Sequence, residues 1–285
     1  MEFAHDERNP SWQTVLQQCS DAGYSGIELG PVGFMPEDPA ELGDALARHK
    51  LELIGGVVFR AFHDPAQWDD VLDGAVRTCQ ALQAHGAKHF VLIDSISPRR
   101  APTAGRGQEA EQMDKDEWLG YRDRLMTVAK IGREEYGLTP EIHPHAGGFM
   151  DFEPEVERLL AETDPELLKI CIDTGHSTYA GFDPVAFMKR HMDRITYVHF
   201  KNTDPVVKKA VIENRTGFYD ACGQGIFCTL DKTGDVDFPA VHQLLIDAKY
   251  EGWCTIEQDC DPTLNPDPES DARQNREYLQ SIGFN

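Results

Sequence analysis

The chain predicts an α/β fold, a (β/α)8 TIM barrel with its first strand missing from the pattern, and three observations predict it. Short β-rich runs alternate with amphipathic stretches of roughly 10–20 residues, as repeated βα units on a parallel sheet require. Polar residues collect at the C-terminal ends of those runs, where a barrel gathers its loops. The length, 285 residues, suits one barrel of about 250 residues with insertions, so 1–285 is expected to be a single domain.

In chain order, a helix at 11–22 precedes the strand GIELG at 26–30. Asp38-Pro39 opens a helix at 38–49, because an Asp cap and a Pro in the first turn both suit the free N–H groups there. The strand LELIGGVVF follows at 51–59, then a helix at 65–84 opened by Asp64-Pro65, and the strand HFVLID at 89–94. A helix at 114–136 leads to LTPEIHPH at 138–145, and a helix at 154–162 to LKICIDTGH at 168–176. Asp183-Pro184 opens a helix at 184–191, before the strand RITYVHFKN at 194–202. A helix at 238–248, the strand WCTIEQD at 253–259 and a helix at 269–281 complete the series. Eight helices thus accompany seven strands, and a strand before the helix at 11–22 would lie ahead of Met1. Two connections are long, 95–113 and 203–235. Both lie on the side where a barrel keeps its active site, and both are expected to be functional lids or disordered segments.

Composition bounds the function before any motif does. With 40% hydrophobic residues and no apolar run near the roughly 18 needed to span a bilayer, the chain is expected to be soluble and not membrane-bound. MEFAHDERNPSW shows neither the basic nor the apolar part of a signal peptide, which points to the cytoplasm. Cysteines 19, 79, 171, 222, 228, 254 and 260 form an odd set of seven without a CxxC pair. Buried reduced thiols are therefore expected, not a disulfide framework or a thiolate zinc knuckle. A net charge of −22 repels phosphate backbones and argues against a nucleic-acid partner.

The informative residues are Glu28, His143, His145, Asp173, His176, His199, Lys201 and Glu257, all at or just beyond predicted strand ends. In a parallel barrel those ends converge on one mouth. Side chains alternate along a strand, so Glu141, His143 and His145 share a face, as do His199 and Lys201. Imidazole and carboxylate donors without thiolates suit one divalent ion, Mn²⁺, Co²⁺, Mg²⁺ or Zn²⁺, and leave positions open for substrate oxygens. At least one histidine of EIHPHAGG is expected to meet that metal. Other features read as structural. Glu2, Phe3 and His5 belong to an ill-defined start, Arg99 and Arg100 are loop charges, and Trp12, Trp68, Trp118 and Trp253 are packing residues. NRT at 214–216 matches a glycosylation acceptor but carries no weight in a chain without a secretion signal.

The run CIDTGHSTYAGFDPVAFMKRH, followed by RITYVHFKN and EGWCTIEQD-CDPTLNP, resembles the inosose dehydratase group within the xylose-isomerase-like barrel superfamily of sugar isomerases and epimerases. GYSGIELGPVGFMPEDPAEL and HPHAGG are similar to the same group, and the likeness extends from about Pro10 to the end. The resemblance implies one divalent ion, Mn²⁺ first among the candidates, on Asp173 of DTGH, His199 of VHFK and Glu257 of IEQD. Counted from Gly137, the family's usual glutamate ligand falls at His143, while Glu141 precedes it on the same strand face. These two divide between them the roles of fourth ligand and catalytic group.

The resemblance also implies a keto-sugar or keto-cyclitol substrate. A metal gripping a carbonyl and its neighbouring hydroxyl stabilises an enediolate, because charge develops on oxygens that face a dication. His145, His143 or Glu257 is then the base, His176 a proton donor or a support for the metal, and Lys201 a partner of the developing charge or a balance for Asp173 and Glu257. Expulsion of a β-hydroxyl makes the protein an inosose-type dehydratase, and reprotonation makes it an isomerase or epimerase. Loss of an aromatic carbon makes it the barrel subunit of a C-glycoside deglycosidase, which needs a small partner subunit. A non-catalytic barrel that binds sugars or a partner is the reading from outside enzymology, and self-assembly is left open. The superfamily's DNA-repair endonucleases need a basic groove, which the net charge opposes.

Overall fold

Nine strands run through the computed structural model, which describes residues 8–259 and 267–284. They are β1 (Gly26–Glu28), β2 (Glu52–Arg60), β3 (His89–Asp94), β4 (Thr139–Ile142), β5 (Lys169–Asp173), β6 (Ile195–Phe200), β7 (Asn202–Thr203), β8 (Phe227–Cys228) and β9 (Cys254–Ile256). β1 to β6 and then β9 form one sheet in chain order, and each of its pairings is parallel. The helices are α1 (Trp12–Asp21), α2 (Pro39–His49), α3 (Trp68–His85), α4 (Lys115–Lys130), α5 (Glu153–Glu162), α6 (Thr174–Tyr179), α7 (Pro184–His191), α8 (Pro205–Glu213), α9 (Phe218–Gly223), α10 (Phe238–Asp247) and α11 (Pro268–Ser281). This is the TIM-barrel architecture with seven strands among the described residues. No helix among them is long and apolar enough to cross a membrane.

The expected caps form. Asp38, Asp64 and Asp183 each accept a hydrogen bond from the backbone N–H two residues on, at 2.8, 2.9 and 2.9 Å. Leu, Val and Ile side chains of β2 to β6 bury against α3, α4, α5 and α7, and Trp118 joins this core while Trp12 and Trp68 pack on it. β1 and β9 differ from the rest, because every residue in them is only half-buried. A groove of about 570 Å³ lies between them, lined by Tyr24, Ile27, Trp253, Thr255, Arg276 and Phe284 among others.

Several expectations change, among them the strand expected over 253–259, which is Cys254–Ile256. The strand expected over 168–176 ends at Asp173, and α6 starts at the next residue with Asp173 as its cap. The run expected as a strand over 138–145 is paired only over Thr139–Ile142, so His143 and His145 stand in the loop above it. The connection 203–235 is neither disordered nor a plain loop. Asp204 caps α8 through Val206 N and Val207 N at 2.9 and 3.1 Å, β7 and β8 pair antiparallel, and Val211, Phe218, Ala221, Ile226 and Phe227 form a small core of their own with Tyr179.

Arg100 is likewise not a solvated loop charge. It is 1% exposed and donates to both oxygens of Glu155 at 2.7 and 3.1 Å, which ties 95–113 to the start of α5. Arg99 does stay at the surface, donating to Glu111 and Glu117 at 2.8 and 2.9 Å. No disulfide joins Cys19, Cys79, Cys171, Cys222, Cys228 and Cys254, the cysteines among the described residues. Cys260 and the rest of CDPTLNP, with Glu2, Phe3 and His5, lie outside the described residues.

Candidate active site

Strand order brings His143, Asp173, His199 and Glu257 together, with one ligand atom of each within 4.8 Å of the others. Asp173 and His199 are register partners across β5 and β6, and Glu257 follows β9 with its N–H bonded to Phe200 O at 3.0 Å. Asp173 serves two ends at once. Its Oδ1 accepts from His176 N at 2.7 Å as the cap of α6, which leaves Oδ2 for the barrel interior. His199 is held in the same way: its Nε2–H donates to Glu28 Oε1 at 2.9 Å, which turns Nδ1 towards Glu257 Oε2, 3.2 Å away.

The chemistry of these donors fits a divalent cation. Asp173 Oδ2, His199 Nδ1 and both ring nitrogens of His143 are buried without a hydrogen-bond partner. Such atoms are costly to bury unless something satisfies them. Two imidazoles and two carboxylates form a donor set that Mn²⁺, Co²⁺ or Zn²⁺ accepts, and the site suits one such ion. Burial opposes ionisation of Asp173 and Glu257, but their neighbours outweigh it. Lys201 and His176 hold Asp173 below the usual carboxylate range, and His199 and Lys201 do the same for Glu257.

Beside this set lies a second group. Lys201 Nζ is 2.9 Å from His176 Nε2, 3.0 Å from Asp259 Oδ2, 3.2 Å from Glu257 Oε2 and 3.3 Å from Asp173 Oδ2. Burial would favour the neutral amine, but Asp173, Asp259 and Glu257 keep it an ammonium. Gly175 makes the close approach of α6 to Lys201 feasible, since a Cβ there would come within 2.6 Å of Lys201 Cγ. His145 packs with its ring centroid 3.9 Å from that of His176, and its Nδ1–H donates to Ala146 O at 2.9 Å, which puts the ring's basic lone pair on Nε2. Burial and the neighbouring His176 hold its pKa well below that of a free imidazole, so it is neutral at pH 7. Phe218 and Phe227 from the 203–235 insertion pack on these rings, and Phe227 lies 5.1 Å from Lys201 Nζ.

Glu141 is not brought to this cluster. It is fully buried lower in the barrel, accepting from His89 Nδ1 at 2.9 Å and Thr196 Oγ1 at 2.7 Å, and burial raises its pKa despite the His89 contact. Strand alternation put it on the same face as His143, and two residues of rise along β4 separate the layers. Asp259 and Glu28 are part of the site and were not singled out as catalytic or ligand residues. The same alternation that joins His199 to Lys201 also joins Glu257 to Asp259, so Asp259 was legible. Phe218 and Phe227 had no comparable signal.

Buried strand-end carboxylates and histidines on a parallel barrel define a class, and comparison gives the family. The chain belongs to the xylose isomerase-like TIM barrel family, whose family model matches residues 16–282. Among its relatives is the inosose dehydratase of Geobacillus kaustophilus, 30% identical over 273 residues that make up 94% of this chain and 86% of that one. Among solved structures, a probable 3-DHS dehydratase, AsbF, involved in petrobactin synthesis in Bacillus anthracis aligns with a TM-score of 0.73 at 18% identity. The alignment covers 98% of this chain and 96% of that one. The IOLI protein with a bound zinc atom aligns with the same TM-score, 0.73, at 13% identity, over 98% of this chain and 95% of that one.

Proposed function

We propose that the chain is a metal-dependent dehydratase acting on a keto-cyclitol of the inosose type. At the coarser level it is an enzyme, a dehydratase or an isomerase/epimerase. The observation that carries the reading is the convergence of His143, Asp173, His199 and Glu257, the first three with buried atoms that make no hydrogen bond, beside a neutral histidine and a buried ammonium. His143, Asp173, His199 and Glu257 would hold one divalent ion, Mn²⁺ foremost, whose Lewis acidity would polarise the substrate carbonyl. The relatives named inosose dehydratase support the substrate class.

His145 Nε2 takes the proton from the carbon α to the carbonyl, the ring being neutral and its Nδ1–H committed to Ala146 O. Lys201, fixed by four neighbours, faces the negative charge that develops on the oxygen. The C–H electrons then form the carbon–carbon double bond, the β C–O bond breaks, and the proton held at His145 leaves with the hydroxyl as water. Phe218 and Phe227 keep bulk water from the two histidines, so the proton stays within the site.

The test is turnover of 2-keto-myo-inositol by protein supplied with Mn²⁺ or Co²⁺, followed by the absorbance of the unsaturated product and by mass. Loss of one water is the expected result. Recovery of an isomer, with solvent deuterium in a C–H bond and no water lost, would overturn the dehydratase reading in favour of the isomerase or epimerase.

A further inference from the structure

Glu28 belongs to β1, the strand bordering the groove, yet its side chain is 11% exposed and reaches across to β6. Its Oε1 accepts two hydrogen bonds there, from Tyr197 Oη–H at 2.7 Å and from His199 Nε2–H at 2.9 Å. Tyr197 Oη also contacts Thr255 Oγ1 of β9, and since Tyr197 gives its own proton to Glu28, the threonine hydroxyl donates. The chain of donors therefore runs from Thr255 to Tyr197 to Glu28 and meets His199 from the other side. Tyr197 is fully buried, and His89 stacks on its ring at 4.1 Å and 16°, so the phenol cannot swing away.

A carboxylate oxygen accepts and cannot donate, so its contact with Nε2 fixes the tautomer of His199. The ring carries a proton on Nε2, so Nδ1 is the nitrogen left for a cation; it is buried, makes no hydrogen bond and lies 3.2 Å from Glu257 Oε2. We infer that Glu28, held by Tyr197, is a positioning residue for metal binding: it sets the tautomer and orientation of His199 so that Nδ1 is ready for the cation. The inference rests on the metal-site reading above. Carboxylates that hold ligand imidazoles in this way typically contribute about 10–100-fold to metal affinity.

The experiment is titration of Co²⁺ alone into metal-free protein, by calorimetry and by the visible absorption of the bound ion. Wild type is compared with Glu28→Ala, Glu28→Gln and Tyr197→Phe. Glu28→Ala is expected to weaken Co²⁺ binding about 10–100-fold and to shift the Co²⁺ band. Glu28→Gln, whose amide oxygen still accepts from Nε2–H, is expected to recover most of that loss. Tyr197→Phe, which keeps the ring and frees Glu28, is expected to lose a few-fold and decides the matter if Glu28→Ala does not fold. Affinity and spectrum unchanged in Glu28→Ala, or in Tyr197→Phe where it must stand in, would overturn the inference. Equal losses in Glu28→Gln and Glu28→Ala would also overturn it. Wild type that binds no Co²⁺ would instead overturn the metal-site reading itself.

Discussion

Lys201 illustrates how much one residue can hold. Four groups surround its ammonium within 3.3 Å, so Lys201→Met would leave three carboxylates facing one another with no cation between them. A loss of about 3–5 kcal/mol in urea unfolding of the metal-free protein is expected at pH 7, the usual consequence of removing one partner from a buried charge group. Asp151 gives the opposite kind of case. It is 2% exposed, accepts one bond from Gly147 N at 3.1 Å, and leaves Oδ1 unpartnered, and burial pushes its pKa up to about 8. A raised folded-state pKa means that the native chain holds the proton longer than the unfolded one. Stability from this group is therefore full below about pH 4 and is lost as pH rises to about 8. Asp151→Asn should thus gain on the wild type between those limits and run parallel to it above pH 8 in unfolding curves. Equal slopes across that window would contradict the assignment. At this scale the meeting of Asp173, His199 and Glu257 was legible because each ends a β-rich run in a recognisable motif. Glu28's role was not, because it depends on a partner 171 residues away.

At the scale of elements, DTGH is a strand end that turns straight into a helix, which is why a pattern of apolar alternation overran it. The signal lay in Asp173 itself, since an Asp whose oxygen accepts from the third backbone N–H beyond it marks a helix start as well as a strand end. Gly175 sits in that turn against Lys201. Gly175→Ala is expected to destabilise by about 1–3 kcal/mol through overpacking and to weaken metal binding by displacing α6 and its cap. Calorimetry on folded protein checks the second effect. The insertion from β7 to β8 was legible in part. Asp204-Pro205 is the same cue that opened α2 and α7, but nothing local told that Phe218 and Phe227 would turn back over His145 and His176.

For the whole molecule, the parallel order of seven strands follows from the alternation of β-rich and amphipathic runs. The groove between β1 and β9 lies where the two ends of the described strand order face each other. Half-burial of those two strands predicts that amides of Ile27 and Thr255 exchange with solvent through smaller openings than those of Ile172 and Val198, which are fully buried. Hydrogen exchange read residue by residue checks this, and uniform protection across the sheet would contradict it. The central claim concerns chemistry, however: the barrel mouth gathers Asp173, His199, His143 and Glu257 to hold one divalent ion. Elemental analysis of the purified wild-type protein beside Asp173→Asn and His199→Ala tests it most directly. About one Mn, Co or Zn per chain, lost in both variants, is the predicted result; wild type that holds no metal even after reconstitution would contradict the account.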